Sequence, residues 1–96
     1  MNVVEKTAEH KMLSLERLHF ELNKDCGLSE AEICVVQLLL KGYTQKQIAA
    51  IRVRSVKTIS AQKNNAFIKL GVRRDITLLS VLLLKNMVRI SVHPDR

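Results

Sequence analysis

The chain has no tryptophan, one tyrosine and two phenylalanines among its 96 residues. Any core must therefore be built from Leu, Ile, Val, Met and Ala. Three glycines and a single proline, Pro94, are too few breakers for the frequent turns of a β-sandwich, and long uninterrupted stretches point to a helix bundle. Cysteine is equally scarce. Cys26 and Cys34 show no metal-ligand spacing and make no disulfide framework, so they read as buried free thiols of a reducing compartment. The first residues include acids and no apolar run of signal-peptide type. The longest apolar stretch, Ile76 to Leu84, is broken by Thr77 and Ser80 and is far too short for a membrane span. One cytoplasmic domain with no membrane partner is the expectation.

The most informative absence is of negative charge. Between Ile33 and Arg74 there is no acidic residue, while Lys41, Lys46, Arg52, Arg54, Lys57, Lys63, Lys69, Arg73 and Arg74 all lie there. Residues 1–32 are net negative, so the overall charge of +7 understates a basic field confined to one segment. An ordinary solvated surface intersperses both signs, and a one-sign segment points to a polyanionic partner.

Helix grammar runs through the same segment. In Leu28-Ser29-Glu30-Ala31-Glu32-Ile33, Ser29 and Glu32 have the spacing of a capping box, with Leu28 and Ile33 as its hydrophobic staple. That helix ends at Gly42, a residue suited to a left-handed stop. Tyr43-Thr44-Gln45-Lys46-Gln47-Ile48 repeats the pattern, with Thr44 as N-cap, and predicts a short helix ending near Ile51 or Arg52. After a tight turn through Val53 and Arg54, Ser55 caps a third helix with an inward stripe of Ile59, Ala66 and Leu70 that Gly71 ends. Asp75 is placed to cap a fourth helix over 75–89. Its residues Ile76, Leu79, Leu83, Met87 and Ile90 form one apolar stripe, and Leu78, Val81 and Leu82 form another. One face should meet the domain and the other, assigned to Leu78, Val81 and Leu82, a second chain. Val4, Ala8, Leu15, Leu18 and Leu22 line one side of a further helix in the first 27 residues, which either packs on the domain or pairs with a partner.

Two short helices around a tight turn, the second with a polar outer face, form a helix-turn-helix, whose second helix fits the major groove of DNA. The residues facing outward are Lys57, Ser60, Ala61 and Asn64. Lys57 suits a phosphate or guanine, Asn64 an adenine, and the small Ser60 and Ala61 a close approach or a thymine methyl. Lys46, Arg54, Lys63 and Lys69 extend a phosphate-binding rim near the helix starts at Thr44 and Ser55. Thr58 is read mainly as a structural residue near the helix start, with a phosphate contact in addition.

The run Leu28-Ser29-x-x-Glu32, Leu38-Leu39, Gly42, Lys46-Gln47-Ile48-Ala49, Ser55-x-Lys57-Thr58-Ile59-Ser60, Lys69-Leu70-Gly71-Val72 resembles the LuxR/FixJ-type helix-turn-helix. The segment from Val56 to Lys63, with Lys69 to Val72 and Asp75-Ile76, is especially similar to the capsule-regulating response-regulator branch. The resemblance implies an all-α, four-helix domain of a bacterial transcription regulator, here with an additional N-terminal helix, and dimerisation through the last helix. Two departures stand out. Cys34 occupies a position where the family commonly has a second Glu, so an intradomain polar contact is expected to be missing. Arg52, Val53 and Arg54 replace a Leu, a small or turn-forming residue and an apolar residue, with Ile51 as the substitute apolar anchor.

The expected organisation is an N-terminal helical extension over 1–27, the helix-turn-helix domain over 28–90 and a frayed tail over 91–96. Residues 1–27 hold no acidic cluster suited to accept a phosphoryl group, and no receiver segment is expected there. His10, His19 and His93 are too scattered for a metal or catalytic set, and Ser55 has no base at a useful spacing. No enzyme activity, cofactor or small-molecule ligand is expected. The expected partners are double-stranded DNA and a second chain, in a homodimer or a heterodimer with another LuxR-type regulator. The competing reading is an interaction protein that modulates another regulator by heterodimerisation, with little DNA binding of its own.

Overall fold

A computed structural model describes residues 17–93. In chain order the elements are strand β1 (Leu18–Leu22), helix α1 (Glu30–Leu40), helix α2 (Gln45–Arg52), helix α3 (Val56–Leu70), helix α4 (Leu78–Leu84) and strand β2 (Val88–Val92). Single 3-10 turns at Lys24–Cys26 and Asp75–Thr77 precede α1 and α4. The architecture is mostly helical, as expected, with a small two-stranded sheet added.

The helices begin where the caps lie. Ser29 Oγ accepts from the Glu32 amide and Glu32 Oε1 accepts from the Ser29 amide, closing the first capping box. Thr44 and Gln47 close the second in the same way, and Ser55 Oγ accepts from the Thr58 amide at the start of α3. The four helices also end alike. Gly42, Val53, Gly71 and Asn86 each adopt a positive φ just past a helix. In each case the next amide reaches five residues back: Tyr43 to Leu38, Arg54 to Ala49, Val72 to Phe67 and Met87 to Leu82. This is the Schellman termination, and it satisfies carbonyls that the helix leaves unpaired. Val53, at φ 54°, is the misfit, because a β-branched side chain is crowded in the left-handed region.

Two apolar clusters hold the fold. Ile48 and Ala49 of α2 meet Val35 of α1 and Ile59 of α3 in the smaller one. In the larger, Val36, Phe67 and Leu70 pack with Leu78 and Leu82 of α4 and with Leu22 of β1. The helix-turn-helix is thus clamped between α1 on one side and the terminal elements on the other.

Four expectations are corrected here. Leu18–Leu22 form a strand and Lys24–Cys26 a 3-10 turn, and residues 1–16 of the expected N-terminal helix lie outside the described residues. The helix expected over 75–89 is seven residues long, because Asn86, at φ 58°, turns the chain into β2. Leu18, Phe20 and Leu22 alternate with polar residues, as do Val88, Ile90 and Val92, and this period of two pairs the strands antiparallel with Phe20 opposite Ile90. Ser91 and Val92 are therefore paired and not frayed, and the sheet joins residues 18–22 to the helix-turn-helix across the expected boundary at 27/28. Finally, Leu78 and Leu82 are buried in the domain's own core and Val81 is half-buried beside them. The outward side of this region carries Ile76, 83 % exposed, and Leu84, 86 % exposed, with Leu83 half exposed. The two faces are reversed relative to the dimerisation assignment of Leu78, Val81 and Leu82.

Candidate nucleic-acid interface

Helix α3 is amphipathic in the way its sequence foretells. Ile59, Ala66 and Leu70 are completely buried and Phe67 nearly so. Lys57, Ala61 and Asn64 project outward, continued by Asn65 and by Ile68, which is 78 % exposed. Ser60 is partly buried on the edge of that face. Among the described residues no other element covers Lys57, Ala61 or Asn64. Thr58 is partly buried, and its hydroxyl oxygen accepts from Ser55 Oγ at 3.0 Å, in keeping with the structural half of its reading.

The rim divides into two groups. Lys46 at the start of α2 and Arg54 in the turn are exposed, the latter donating from Nη1 to the Val53 carbonyl at 3.0 Å. Lys63 and Lys69 instead carry charge that the domain uses itself. Lys63 Nζ lies 2.8 Å from Asp75 and 5.3 Å from the centre of the Phe67 ring, with its side chain only 14 % exposed. Asp75 therefore anchors the chain after α3 and does not cap α4, whose start has no side-chain cap. Lys69 Nζ donates to Glu32 at 2.9 Å, tying the end of α3 to the capping box of α1. The Lys69 ammonium, together with the Ser29 amide, holds the Glu32 carboxyl below the ordinary glutamate range, against the opposing effect of its burial. Lys85 adds another tie, donating from Nζ to the Leu70 carbonyl at the C-terminal end of α3.

Arg73 and Arg74, exposed just beyond Gly71, enlarge the basic surface. Both lay in the acid-free run, and the signal that singles them out is their place immediately after a helix stop. Ile51, the expected replacement anchor, is half exposed, and Arg52 beside it is partly buried. Among the described residues no three of His, Cys, Asp or Glu come close enough to hold a metal ion, and no helix is long and apolar enough to cross a membrane.

The family model for bacterial regulatory proteins, luxR family, matches residues 27–82, a span from just before the first capping box to the end of the core side of α4. The chain belongs to the luxR family. It is similar to the uncharacterized HTH-type transcriptional regulator YuaB of Escherichia coli strain K12, with 49% identity over 53 residues, covering 55% of this chain and 15% of YuaB. It is also similar to the transcriptional regulatory protein RcsB of Escherichia coli strain K12 and of Salmonella typhimurium. Each shows 41% identity over 76 residues, covering 79% of this chain and 35% of RcsB. The chain spans about a third or less of the length of these relatives. No solved structure matches it. The family so matched is one of bacterial regulatory proteins.

Proposed function

We propose that the chain is a sequence-specific DNA-binding transcription regulator that reads the major groove with α3. The observation that carries this reading is the outward face of that helix: Lys57, Ser60, Ala61 and Asn64 lie together on the open side of a rigid, doubly capped helix-turn-helix. Lys46 and Arg54, which have no carboxylate partner among the described residues, grip phosphates from the start of α2 and from the turn. Lys63 and Lys69 contribute by holding α3 in place, a role that follows from their ion pairs.

Pairing with a second chain falls to the outward apolar side chains of α4 and the turn before it, namely Ile76, Leu83 and Leu84, because large apolar groups left exposed mark an interaction surface. The second chain is a copy of this one or another LuxR-type regulator. The same exposed side chains favour one alternative, a modulator that captures another regulator and binds DNA weakly itself. Selection of bound sequences from a random duplex pool separates the two. Wild type enriches a defined motif, and Asn64→Ala relaxes preference at one base position while the salt dependence stays the same. Lys46→Ala instead weakens all sequences equally and lowers the log–log salt slope by about 0.9. Failure of the isolated chain to enrich any sequence supports the modulator reading.

A further inference from the structure

We propose that the free edge of β2 pairs with the same edge of a second copy of the chain, joining two two-stranded sheets into one antiparallel sheet of four strands. The phase of the β1–β2 ladder decides which backbone groups are available. The His93 amide donates to the Arg17 carbonyl and the Asn23 amide to the Met87 carbonyl, each at 2.8 Å. Both bonds extend the register that sets Phe20 opposite Ile90. Hydrogen-bonded and non-hydrogen-bonded pairs alternate along an antiparallel ladder, so His19 with Ser91 and Glu21 with Arg89 exchange the bonds in between. The amides and carbonyls of Val88, Ile90 and Val92 therefore point away from β1. Among the described residues none of them has a hydrogen-bond partner on that side.

The two edges of the sheet differ in their protection. On the outer edge of β1, the Phe20 carbonyl accepts from Gln37 Nε2 of α1 at 2.7 Å. The outer edge of β2 has no such cover and none of the usual guards. Residues 88–92 hold no proline, and the face shared by Val88, Ile90 and Val92 holds no charge. Val88 packs against the larger core cluster, while Ile90 and Val92 remain 41 % and 44 % exposed.

The strand's own pattern points to a copy of itself as the occupant. Val88-Arg89-Ile90-Ser91-Val92 has the same alternation read in either direction from Ile90. An antiparallel partner centred there sets Ile90 against Ile90, Val88 against Val92 and Arg89 against Ser91. β-Branched side chains then meet on one face, and on the other no like charges are directly opposed. Arg89 of each copy keeps its own Glu21, 3.8 Å away. The two-fold axis uses up both β2 edges at once, so the assembly closes at two chains. Five residues a side make an interface far below the roughly 1,000 Å² of a stable complex, and the pair is accordingly weak. This edge lies beyond the Asn86 turn, apart from Ile76, Leu83 and Leu84, and the pairing rests neither on the role given to those side chains nor on the DNA reading.

A cysteine trap captures so weak a pair. In the centred register the two Ile90 Cα atoms lie about 5.5 Å apart, within disulfide reach, whereas the two Val92 positions are separated by about 13 Å along the strands. Under oxidised glutathione, the whole chain carrying Ile90→Cys should form covalent dimers about tenfold or more faster than chains carrying Val92→Cys, with wild type as the blank for its own two thiols. Adding Leu84→Glu to Ile90→Cys should leave that rate unchanged, which separates this edge from the association assigned to α4. In 15N spectra the Val88, Ile90 and Val92 amides of wild type should shift with protein concentration. Ile90→Pro should abolish those shifts while the chain still melts cooperatively, because the amide it removes points outward and serves no β1–β2 bond. Equal cross-linking of Ile90→Cys and Val92→Cys would overturn the pairing, as would a rate that collapses with Leu84→Glu. Edge amides that stay protected and unchanged at every dilution would overturn it too, since a segment of the same chain would then cover the edge.

Discussion

The region from Ser29 to Gly71 and the region made of α4 and the two strands are held by the same core, yet they are specified differently. In the first, every helix begins at a side-chain cap that pairs with the residue three positions on, and all but one of its stops is glycine. In the second, α4 starts without a side-chain cap, and the strands exist because residues about seventy positions apart pair across the sheet. Local chemistry fixes the first region, and partners distant in sequence fix the second. The part proposed to read DNA is thus preformed by short-range interactions, while the terminal elements support it through Lys85 at the end of α3 and through Leu78 and Leu82 beneath it.

The largest effect should come from reversing a side chain in the terminal region. Leu82→Glu places a carboxylate where nothing is exposed, and we expect cooperative unfolding to be lost or reduced by about 4 kcal/mol or more, read by thermal melts. Leu84→Glu, two positions on, should change stability by less than about 0.5 kcal/mol while abolishing self- or partner association in light scattering. Equal effects of the two would mean that the faces of α4 are wrongly assigned.

Next in size is the tie between α1 and α3. Lys69→Met strips buried Glu32 of its cation and should cost about 1–2 kcal/mol, less than for a fully buried pair because Lys69 is nearly half exposed to screening solvent. The pair also sets a pH dependence. Glu32 titrates lower in the folded protein than in the unfolded one, so its contribution is complete above the ordinary glutamate range and fades as pH falls through the folded value. In urea titrations the gap between wild type and Lys69→Met should therefore narrow on acidification; a gap that widens would contradict the pair's role.

The smallest effect tests the turn. Val53→Gly removes the crowding of a β-branched residue at φ 54° and should stabilise by about 0.5–1 kcal/mol, the relief of strain exceeding the glycine entropy cost. Destabilisation would show that the exposed Val53 side chain does something the turn needs.

The sequence made α1 to α3 legible because caps, staples and stops lie within a few residues of one another. It also placed Lys57, Ala61 and Asn64 outward, since the buried Ile59, Ala66 and Leu70 define the opposite side. Three features escaped for physical reasons. Leu15, Leu18 and Leu22 satisfy helical spacing while Leu18, Phe20 and Leu22 satisfy strand alternation, and only the partner strand decides between them. Asn86 resembles any polar residue until the chain needs a left-handed stop. Lys63 and Lys69 look like free cations because Asp75 and Glu32, their partners, sit on other elements.

The open side of α3 is the surface proposed to meet DNA. Titrating a selected duplex with wild type and Lys57→Ala, at matched salt and with melting curves in parallel, addresses it most directly. The prediction is an affinity loss of about tenfold or more, within the range of a single well-placed contact, at an unchanged thermal midpoint. Equal affinity of the two folded proteins for that duplex would contradict it.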